Sequence, residues 1–387
     1  MKNFHSNKLC LSIAIAGTFS TGIAQAAIEE IVVTASKREQ SLQEVPISVS
    51  VTSGETIQQS SIVDLIDLQS AVPSLRVNQL QSSAQTNFII RGYGNGANNP
   101  GIEPAVSVYI DGVARTRSAS SLADLPTVER VEVLSGPQST LFGKNASAGV
   151  ISVTTMLPDD QFGGMIEATA GNYGSQIVKG TITGPISDTV SYRLSASDNS
   201  SDGYATNITT GESVNTRDRS AIRGQLLIQP SDDLTIRVIG DYNEIDEICC
   251  AASSLQYGAA AGVASALAAA NGFATAPVDP WARNLTMNYS PTNKLEGKGL
   301  SVQLDYDLGF ATLTSISSSR DQSLASTFDA DFSAAMLVEE NRVDYDFETF
   351  TQEIRLTSND DGDLQWMVGA FHSDEEVADE KCSNHHI

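Results

Sequence analysis

Alternation of apolar and polar residues runs from Gly164 to the C-terminus and restricts the fold more than any other feature. Apolar side chains occupy every second position in 190–196 and 300–308, and the same pattern recurs in 222–228 and 234–242. A period of two predicts strands with one apolar and one polar face. The runs are about as long as a tilted strand needs to cross a bilayer.

The connections between these predicted strands alternate in length. Long segments, including 247–296 and 323–342, alternate with short turns at 184–188, 229–233, 308–310 and 358–362. Short turns on one side and long loops on the other are typical of an up-and-down outer-membrane barrel. We therefore expect antiparallel transmembrane β-barrel strands, with a soluble all-β domain as the alternative.

The N-terminus has the features of an export signal. Lys2 and Lys8 precede an apolar run over 9–19. Ala24-Gln25-Ala26 fits a small-x-small cleavage site. Residues 1–26 are therefore predicted to be a cleavable signal peptide. An exported chain with amphipathic strands and no long apolar helix is periplasmic, secreted or located in the outer membrane.

Residues 41–155 have a mixed pattern that predicts a small α/β domain. Short strand-like runs alternate with Gly-rich loops, and Ser53 is predicted to cap a helix whose apolar spacing continues to Pro73. The stretch 136–144 resembles a phosphate-binding loop, but it has six residues between its glycines and Asn145 replaces the Ser or Thr that binds magnesium. We expect no nucleotide site, no cofactor and no catalytic constellation.

Net charge and cysteine content limit which ligands and disulfide bonds are expected. The net charge of −24 argues against nucleic acid, whose phosphates require a basic face. Because export permits disulfides, Cys382 is a candidate to bond with Cys249 or Cys250. No paired ligand spacing accompanies these cysteines, so a metal site is not expected.

Five segments together resemble the TonB-dependent outer-membrane receptors. They are Glu-Ile-Val-Val-Thr-Ala at 30–35, Val-Pro-Ile-Ser-Val at 45–49, Ile-Arg-Gly at 90–92, Tyr-Ile-Asp-Gly-Val at 109–113, and the run from Val128 to Ala146. The resemblance implies a signal peptide (1–26), a TonB-box segment (27–40), a plug domain (41–155) and barrel strands (156–387). The fold class is thus a small α/β plug domain followed by antiparallel transmembrane β-barrel strands.

The resemblance also implies a function. Such receptors import scarce nutrients across the outer membrane, most often ferric siderophores and sometimes cobalamin or saccharides, with energy supplied through TonB and its inner-membrane complex. The expected partners are TonB, a small chelate or vitamin and outer-membrane lipid, and no enzymatic activity is expected. A soluble periplasmic ligand-binding module is the alternative.

The TonB box is the first site that the resemblance predicts. Its members are Glu30, Ile31, Val32, Val33, Thr34 and Ala35. A β-branched segment near a free end can add as a strand to the edge of a partner's sheet, where main-chain hydrogen bonds carry the pull. The alternative interpretation is an ordinary N-terminal strand of the plug.

Plug loops and buried ion pairs are the other predicted sites. The candidate substrate-binding residues are Tyr93, Asn95, Asn98, Arg115 and Arg117. The resemblance implies that Arg91 and Arg130 pair with barrel glutamates, and Glu353 is the candidate partner. A charge inside a protein-filled lumen needs such a counter-charge.

The strand count departs from the family pattern. We expect about nine strands after the plug, whereas a plugged barrel has about 22 strands. The sequence is therefore interpreted as the N-terminal part of a longer receptor.

Overall fold

The computed structural model describes most of the chain beyond the predicted signal peptide. It covers residues 32–385 except 35, 39, 81, 96–101, 124, 126, 257, 259–260, 276–277, 330 and 360–363. Residues 1–26, Glu30, Ile31, Ala35 and Asn98, on which predictions were made, lie outside the described residues.

The N-terminal unit is a mixed α/β domain built on a five-stranded sheet. The sheet has the order β3-β8-β9-β6-β7; β6 and β9 are parallel and the other pairs are antiparallel. Two smaller sheets, β1-β2 and β4-β5, accompany it. The elements are β1 (Val32–Val33), β2 (Gln40–Ser41), β3 (Ser48–Ser53), α1 (Gly54–Gln59), β4 (Leu75–Gln79), β5 (Thr86–Ile90), β6 (Val106–Ile110), β7 (Val113–Arg115), β8 (Val128–Ser135), α2 (Ser139–Phe142) and β9 (Gly149–Thr155).

The predicted helix after Ser53 begins as expected but ends early. Ser53 Oγ accepts a hydrogen bond from the Thr56 amide at 3.2 Å, as an N-cap residue does. Helix α1 ends at Gln59, and Ser61 has a φ of +53°, which no continuing α-helix allows. Beyond it, Asp64 Oδ1 accepts from the amides of Ile66 and Asp67 and organises a turn into a 3-10 helix, Asp67–Ser70. The apolar spacing to Pro73 therefore serves core packing without a continuous helix.

The remaining strands form one large antiparallel sheet of nine strands. Its order is β10-β11-β12-β15-β16-β18-β19-β20-β21, so each strand pairs with the next long strand in the chain. This confirms the predicted antiparallel strands; β10 and β21 each pair with one strand of this sheet in the described part of the chain, and the sheet is not closed. The elements are β10 (Gly163–Ala170), β11 (Gln176–Ser187), β12 (Val190–Ser201), β13 (Ala205–Asn207), β14 (Ser213–Val214), β15 (Arg217–Ser231), β16 (Leu234–Ile248), α3 (Ala261–Ala270), β17 (Asn284–Leu285), β18 (Thr292–Asp307), β19 (Ala311–Phe328), β20 (Val338–Ser358) and β21 (Met367–His385).

The two faces of the large sheet have the reverse of the polarity of a water-soluble sheet. Apolar residues such as Ile222 and Leu300 are exposed on the outer face, whereas Arg193, Arg223 and Arg237 are buried on the inner face. An outward apolar face around a polar interior is what a lipid-facing wall requires. No helix within the described ranges is long and apolar enough to cross a membrane.

The plug and the inner face of the large sheet share one apolar core. Leu65, Leu68 and Phe88 of the plug are almost completely buried in the same cluster as Ile245 and Leu295 of the sheet. The plug is therefore packed against the wall by apolar contact as well as by charge.

The disulfide pairing differs from the prediction. Cys249 and Cys250 form a disulfide with each other at the end of β16. The backbone of Cys382 lies in β21, opposite Arg342, and not in a connection. Three strands stand between β16 and β21 in the sheet. Because adjacent strands are about 4.8 Å apart and disulfide-bonded Cα atoms are within about 7 Å, the predicted bond to Cys382 is wrong for this arrangement.

Core packing of the plug generates a stability prediction. Phe88 is 1% exposed and Phe310 is 64% exposed. We expect Phe88→Ala to lower the free energy of unfolding by about 3–5 kcal/mol, because it removes buried area and leaves a cavity. Phe310→Ala, the same change at an exposed turn, should cost less than about 0.5 kcal/mol. Urea unfolding of the purified chain measures both, and equal losses would contradict the assigned core.

Candidate functional site

The segment predicted to bind TonB is a short strand lying on the plug. Val32 and Val33 pair antiparallel with Ser41 and Gln40. Val33 is fully buried against a cluster that includes Tyr109 and Phe142, while Val32 is 43% exposed. The strand thus has one side chain in the core and one available at the surface.

Glu132 fixes the end of this strand. The carboxylate of Glu132 accepts hydrogen bonds from the Thr34 amide at 2.9 Å and from Thr34 Oγ1 at 3.2 Å. It also accepts from Arg130 Nε at 2.8 Å and is completely buried on β8, the strand between β3 and β9. The N-terminal strand is therefore bonded to a central strand of the plug sheet.

Lys37 joins the same segment to the large sheet. Its ammonium group lies 2.9 and 2.6 Å from the two carboxylate oxygens of Glu353 on β20. The ammonium also lies 5.4 Å from the ring centroid of Tyr109 and 5.0 Å from that of Phe142. Burial lowers the pKa of Lys37, and the Glu353 carboxylate opposes that shift. The N-terminal segment is thereby held by plug and sheet together.

The arginines predicted to pair with Glu353 have other partners. Arg130 forms ion pairs with Glu129 and Glu132, and Arg91 donates to Ser48 Oγ at 2.7 Å. Glu353 pairs with Lys37 and Arg355 instead. Arg130 pairs locally because Glu132 lies two residues away on the same strand. Arg91 has a φ of +52° and lies exposed in a turn, so it does not need a buried counter-charge. Lys37 follows the predicted TonB box and occupies the position beside Glu353.

Asp111 is the most strongly paired carboxylate between plug and sheet. Its oxygens accept from Arg223 and, at 3.1 Å, from Arg237, both on sheet strands. Thr155 of the plug donates to the same carboxylate through its amide and its hydroxyl, each at 2.9 Å. Burial alone would raise the pKa of Asp111, but Arg237, Arg223 and the two hydrogen bonds from Thr155 together outweigh burial and lower it. Asp111 therefore stays ionised and binds the plug to the wall.

A second buried network lies near the 3-10 helix of the plug. Arg219 of β15 pairs with Asp64 at 2.8 Å and with Glu247 of β16 at 2.6 Å. All three side chains are at most 5% exposed. Because a single buried charge is costly, each group in this network depends on the others.

Arg115 lines a narrow open cleft between the plug and the sheet, with an internal volume of about 20 Å³. Within the described residues, its Nε and Nη1 atoms are buried without a hydrogen-bond partner. Burial, followed by the nearby Arg320, lowers the pKa of Arg115 to about 9. Unpaired guanidinium donors favour an anionic acceptor. Thr116, Asn243, Arg320, Phe347 and Thr349 are among the other lining residues.

The other predicted substrate residues are not all brought together with Arg115. Arg117 pairs with Glu375 at 2.8 Å and lies 5.7 Å from the ring centroid of Phe347, which lines the cavity. Tyr93 is exposed and Asn95 donates to the carbonyl of Glu103, and neither lines the cavity. Asn98 lies outside the described residues.

Sequence reasoning missed the arginines of the sheet that hold the plug. Arg219, Arg223 and Arg237 lie on the polar face of alternating strands, which the sequence marks but does not connect to particular carboxylates. The available signal was their charge: an arginine on the inner face of a plugged barrel must face a buried acid.

Comparisons with known proteins agree with this architecture. Residues 41–150 match the family described as TonB-dependent Receptor Plug Domain. The chain is 30% identical to the pesticin receptor of Yersinia pestis over 186 residues, which are 46% of this chain and 27% of that protein. It is 30% identical to the ferrioxamine B receptor of Salmonella typhimurium over 159 residues, which are 39% of this chain and 22% of that protein. The chain thus matches about a quarter of the length of these relatives.

Solved structures share the fold over a longer span. The ferric yersiniabactin uptake receptor of Yersinia pestis has a TM-score of 0.75 and 19% identity, with 88% of this chain and 50% of that chain covered. The ferripyoverdine receptor of Pseudomonas aeruginosa, bound to ferripyoverdine, has a TM-score of 0.68 and 15% identity, with 91% and 45% covered. The chain thus contains a TonB-dependent receptor plug domain at 41–150, followed by nine wall strands in the fold that these solved receptors share.

Proposed function

We propose that this chain serves in the TonB-dependent uptake of a ferric siderophore across the outer membrane. The observation that carries the proposal is the N-terminal strand, half-exposed at Val32 and tied to the plug sheet through Glu132. Names of the relatives support the substrate class, since one is a ferrioxamine B receptor and one solved structure is a ferric yersiniabactin uptake receptor. The matched family is one of receptors and not of enzymes.

In this proposal TonB binds Glu30–Ala35 as an added strand. Main-chain hydrogen bonds of an added strand lie across the strand axis, so a pull along the strand loads them together and they resist it collectively. A pull on this segment reaches β8 through the bonds between Thr34 and Glu132, and reaches β20 through the pair between Lys37 and Glu353. The force therefore acts on a central strand of the plug sheet, where it can open a passage along the wall.

The ligand in this proposal is an anionic chelate that binds at Arg115. A carboxylate or catecholate oxygen would accept the Nε and Nη1 hydrogens, which have no acceptor within the described part of the chain. Arg320 lines the same cavity but is already paired with Asp241 at 2.9 and 2.6 Å. Of these two lining arginines, Arg115 is therefore the one with buried donors to offer, and Arg117 beside Phe347, whose Nε and Nη1 also have no partner in the described residues, extends the basic surface.

Strand addition by TonB predicts the effect of proline at Val32. We expect Val32→Pro to abolish uptake of a radiolabelled ferric siderophore by cells that express the receptor, because proline removes a main-chain donor. Ligand binding should be unchanged. Val32→Thr is the matched control, since threonine keeps the amide and the β-branched shape, and its uptake should stay close to wild type. Unchanged uptake in the proline variant would refute the TonB-binding role.

Loss of the Lys37 pair should loosen the N-terminal segment. In Lys37→Met, Glu353 keeps Arg355 at 2.8 Å, so the sheet remains satisfied while the segment loses its anchor. We expect amide hydrogens at 32–41 to exchange at least about tenfold faster, equal to about 1.4 kcal/mol. Lys144→Met, which breaks a half-exposed pair with Glu103, is the control and should leave those amides unchanged. Equal exchange in Lys37→Met and wild type would show that the pair does not hold the segment.

The charge of Arg115 predicts selectivity for anionic chelates. Arg115→Met should weaken binding of an anionic ferric siderophore by at least about tenfold and have a smaller effect on a neutral one, because the lost contact is charge-assisted. Tryptophan fluorescence quenching in detergent measures both affinities. Arg76→Met, at an exposed position on β4, is the control with no expected effect. Equal losses for the two siderophores would argue against charge recognition.

A further inference from the structure

A row of alternating charges links the plug to the large sheet and contains more arginines than carboxylates. Asp111 of the plug pairs with Arg237 at 3.1 Å and also with Arg223. Arg223 lies 3.6 Å from the Asp241 carboxylate of β16, and Asp241 pairs with Arg320 of β19 at 2.6 Å. An arginine therefore stands at each end of the row, and three guanidinium groups share two carboxylates.

Arg115 of β7 adds a further guanidinium beside this row. It is 6% exposed, and its Nε and Nη1 atoms have no hydrogen-bond partner among the described residues. Asp241 and Asp111 are near enough to favour its charge, but both carboxylates are already bonded to other arginines. Burial and the nearby Arg320 lower the pKa of Arg115 to about 9, so the group is still charged at neutral pH. The interior here therefore carries more positive than negative charge, which is costly away from water.

The acidic residue that lines the cleft beside Arg115 does not remove this excess. That residue is Asp321, whose half-exposed carboxylate lies 3.5 Å from the Lys298 ammonium on the outer face of the sheet. Glu375 of β21 is paired with Arg117 at 2.8 Å. Both carboxylates thus have a cation of their own, and the surplus positive charge stays at Arg115.

Two side chains that line the cleft have N–H donors without acceptors. They are Arg115, through Nε and Nη1, and Gln322 of β19, through Nε2; all three atoms are buried and unpaired in the part of the chain that the structure describes. A buried donor without an acceptor is costly, most of all when it is charged. An anion only accepts hydrogen bonds, so it would satisfy these donors and offset the surplus charge together. Water would accept some of these bonds but leave the charge uncompensated.

The size of the cleft restricts which anion it can hold. Its internal volume is about 20 Å³, and a single water needs about 10–15 Å³ on the same measure. A monatomic anion such as chloride is only slightly larger than water and fits this space. Tetrahedral anions such as phosphate and sulfate are too large for it.

We propose that a chloride ion binds in this cleft, between Arg115 of the plug and Gln322 of the sheet. The ion would complete the row of charges and join the plug to the wall at this point. The chelate of the proposed function would use the same arginine, so the ion has to leave when the chelate binds. The chloride site itself depends only on the charges and the cleft, and its test uses no siderophore.

Thermal unfolding of the purified chain in detergent tests this site. Sodium chloride is compared with sodium gluconate at equal ionic strength, because gluconate is too large for the cleft and the screening of other charges stays the same. We expect the unfolding temperature of the wild type to be higher in chloride, since an ion that binds the folded state stabilises it. Line broadening of the chloride-35 NMR signal measures binding directly. The affinity should be at least about tenfold weaker in Arg115→Met, because charge-assisted donors are lost.

The Arg115→Met variant separates a bound ion from a packing role. In gluconate it should be at least as stable as the wild type, because a buried unpaired charge is removed, whereas in chloride only the wild type should gain stability. Gln322→Met should weaken chloride affinity without abolishing it, because Arg115 remains. Arg76→Met, at an exposed position on β4, should keep the full chloride response. An absent chloride response in the wild type, or an equal response in wild type and Arg115→Met, would overturn the proposal.

Discussion

Pairing of buried charges between plug and wall is the constraint on which the rest of the structure depends. Asp111 of the plug is neutralised by Arg223 and Arg237 of the sheet, and Asp64 by Arg219. Burying an unpaired charge costs several kcal/mol, so neither surface is stable in this form without the other. The plug and the inner face of the sheet are therefore complementary parts of a single interior, joined by charge pairs and by apolar contact.

This arrangement explains the polarity of the wall. The inner face must be polar to meet the plug, so the apolar residues of each strand are left for the outer face. In water an exposed apolar band of this size would promote association, whereas in lipid it is the favoured surface. The alternation that directs polar residues toward the plug therefore also gives the sheet an outer face suited to lipid.

The N-terminal segment is held by separate local contacts, whereas the domain beneath it has a continuous core. Burial of a valine such as Val33 contributes about 1.5–3 kcal/mol, and each hydrogen bond to Glu132 contributes about 1.5–3 kcal/mol because the acceptor is charged. The five-stranded sheet is secured by that core and by ion pairs to the wall. Because the segment has no core of its own, its contacts can open while the plug stays folded.

Local pattern was enough to predict the strands, the turns and the order of the two parts of the chain, because each depends on residues near one another in sequence. The period of two in 190–196 and the cap at Ser53 are examples. Partners were not predictable in this way: Glu353 meets Lys37, and Asp111 meets Arg223. Strand register and the path of the N-terminal segment bring distant residues within bonding distance, and no local pattern encodes those distances. The sequence by itself determined which residues face inward, and the tertiary structure decided which inward charges meet, because Coulomb and hydrogen-bond energies act over a few ångströms in space.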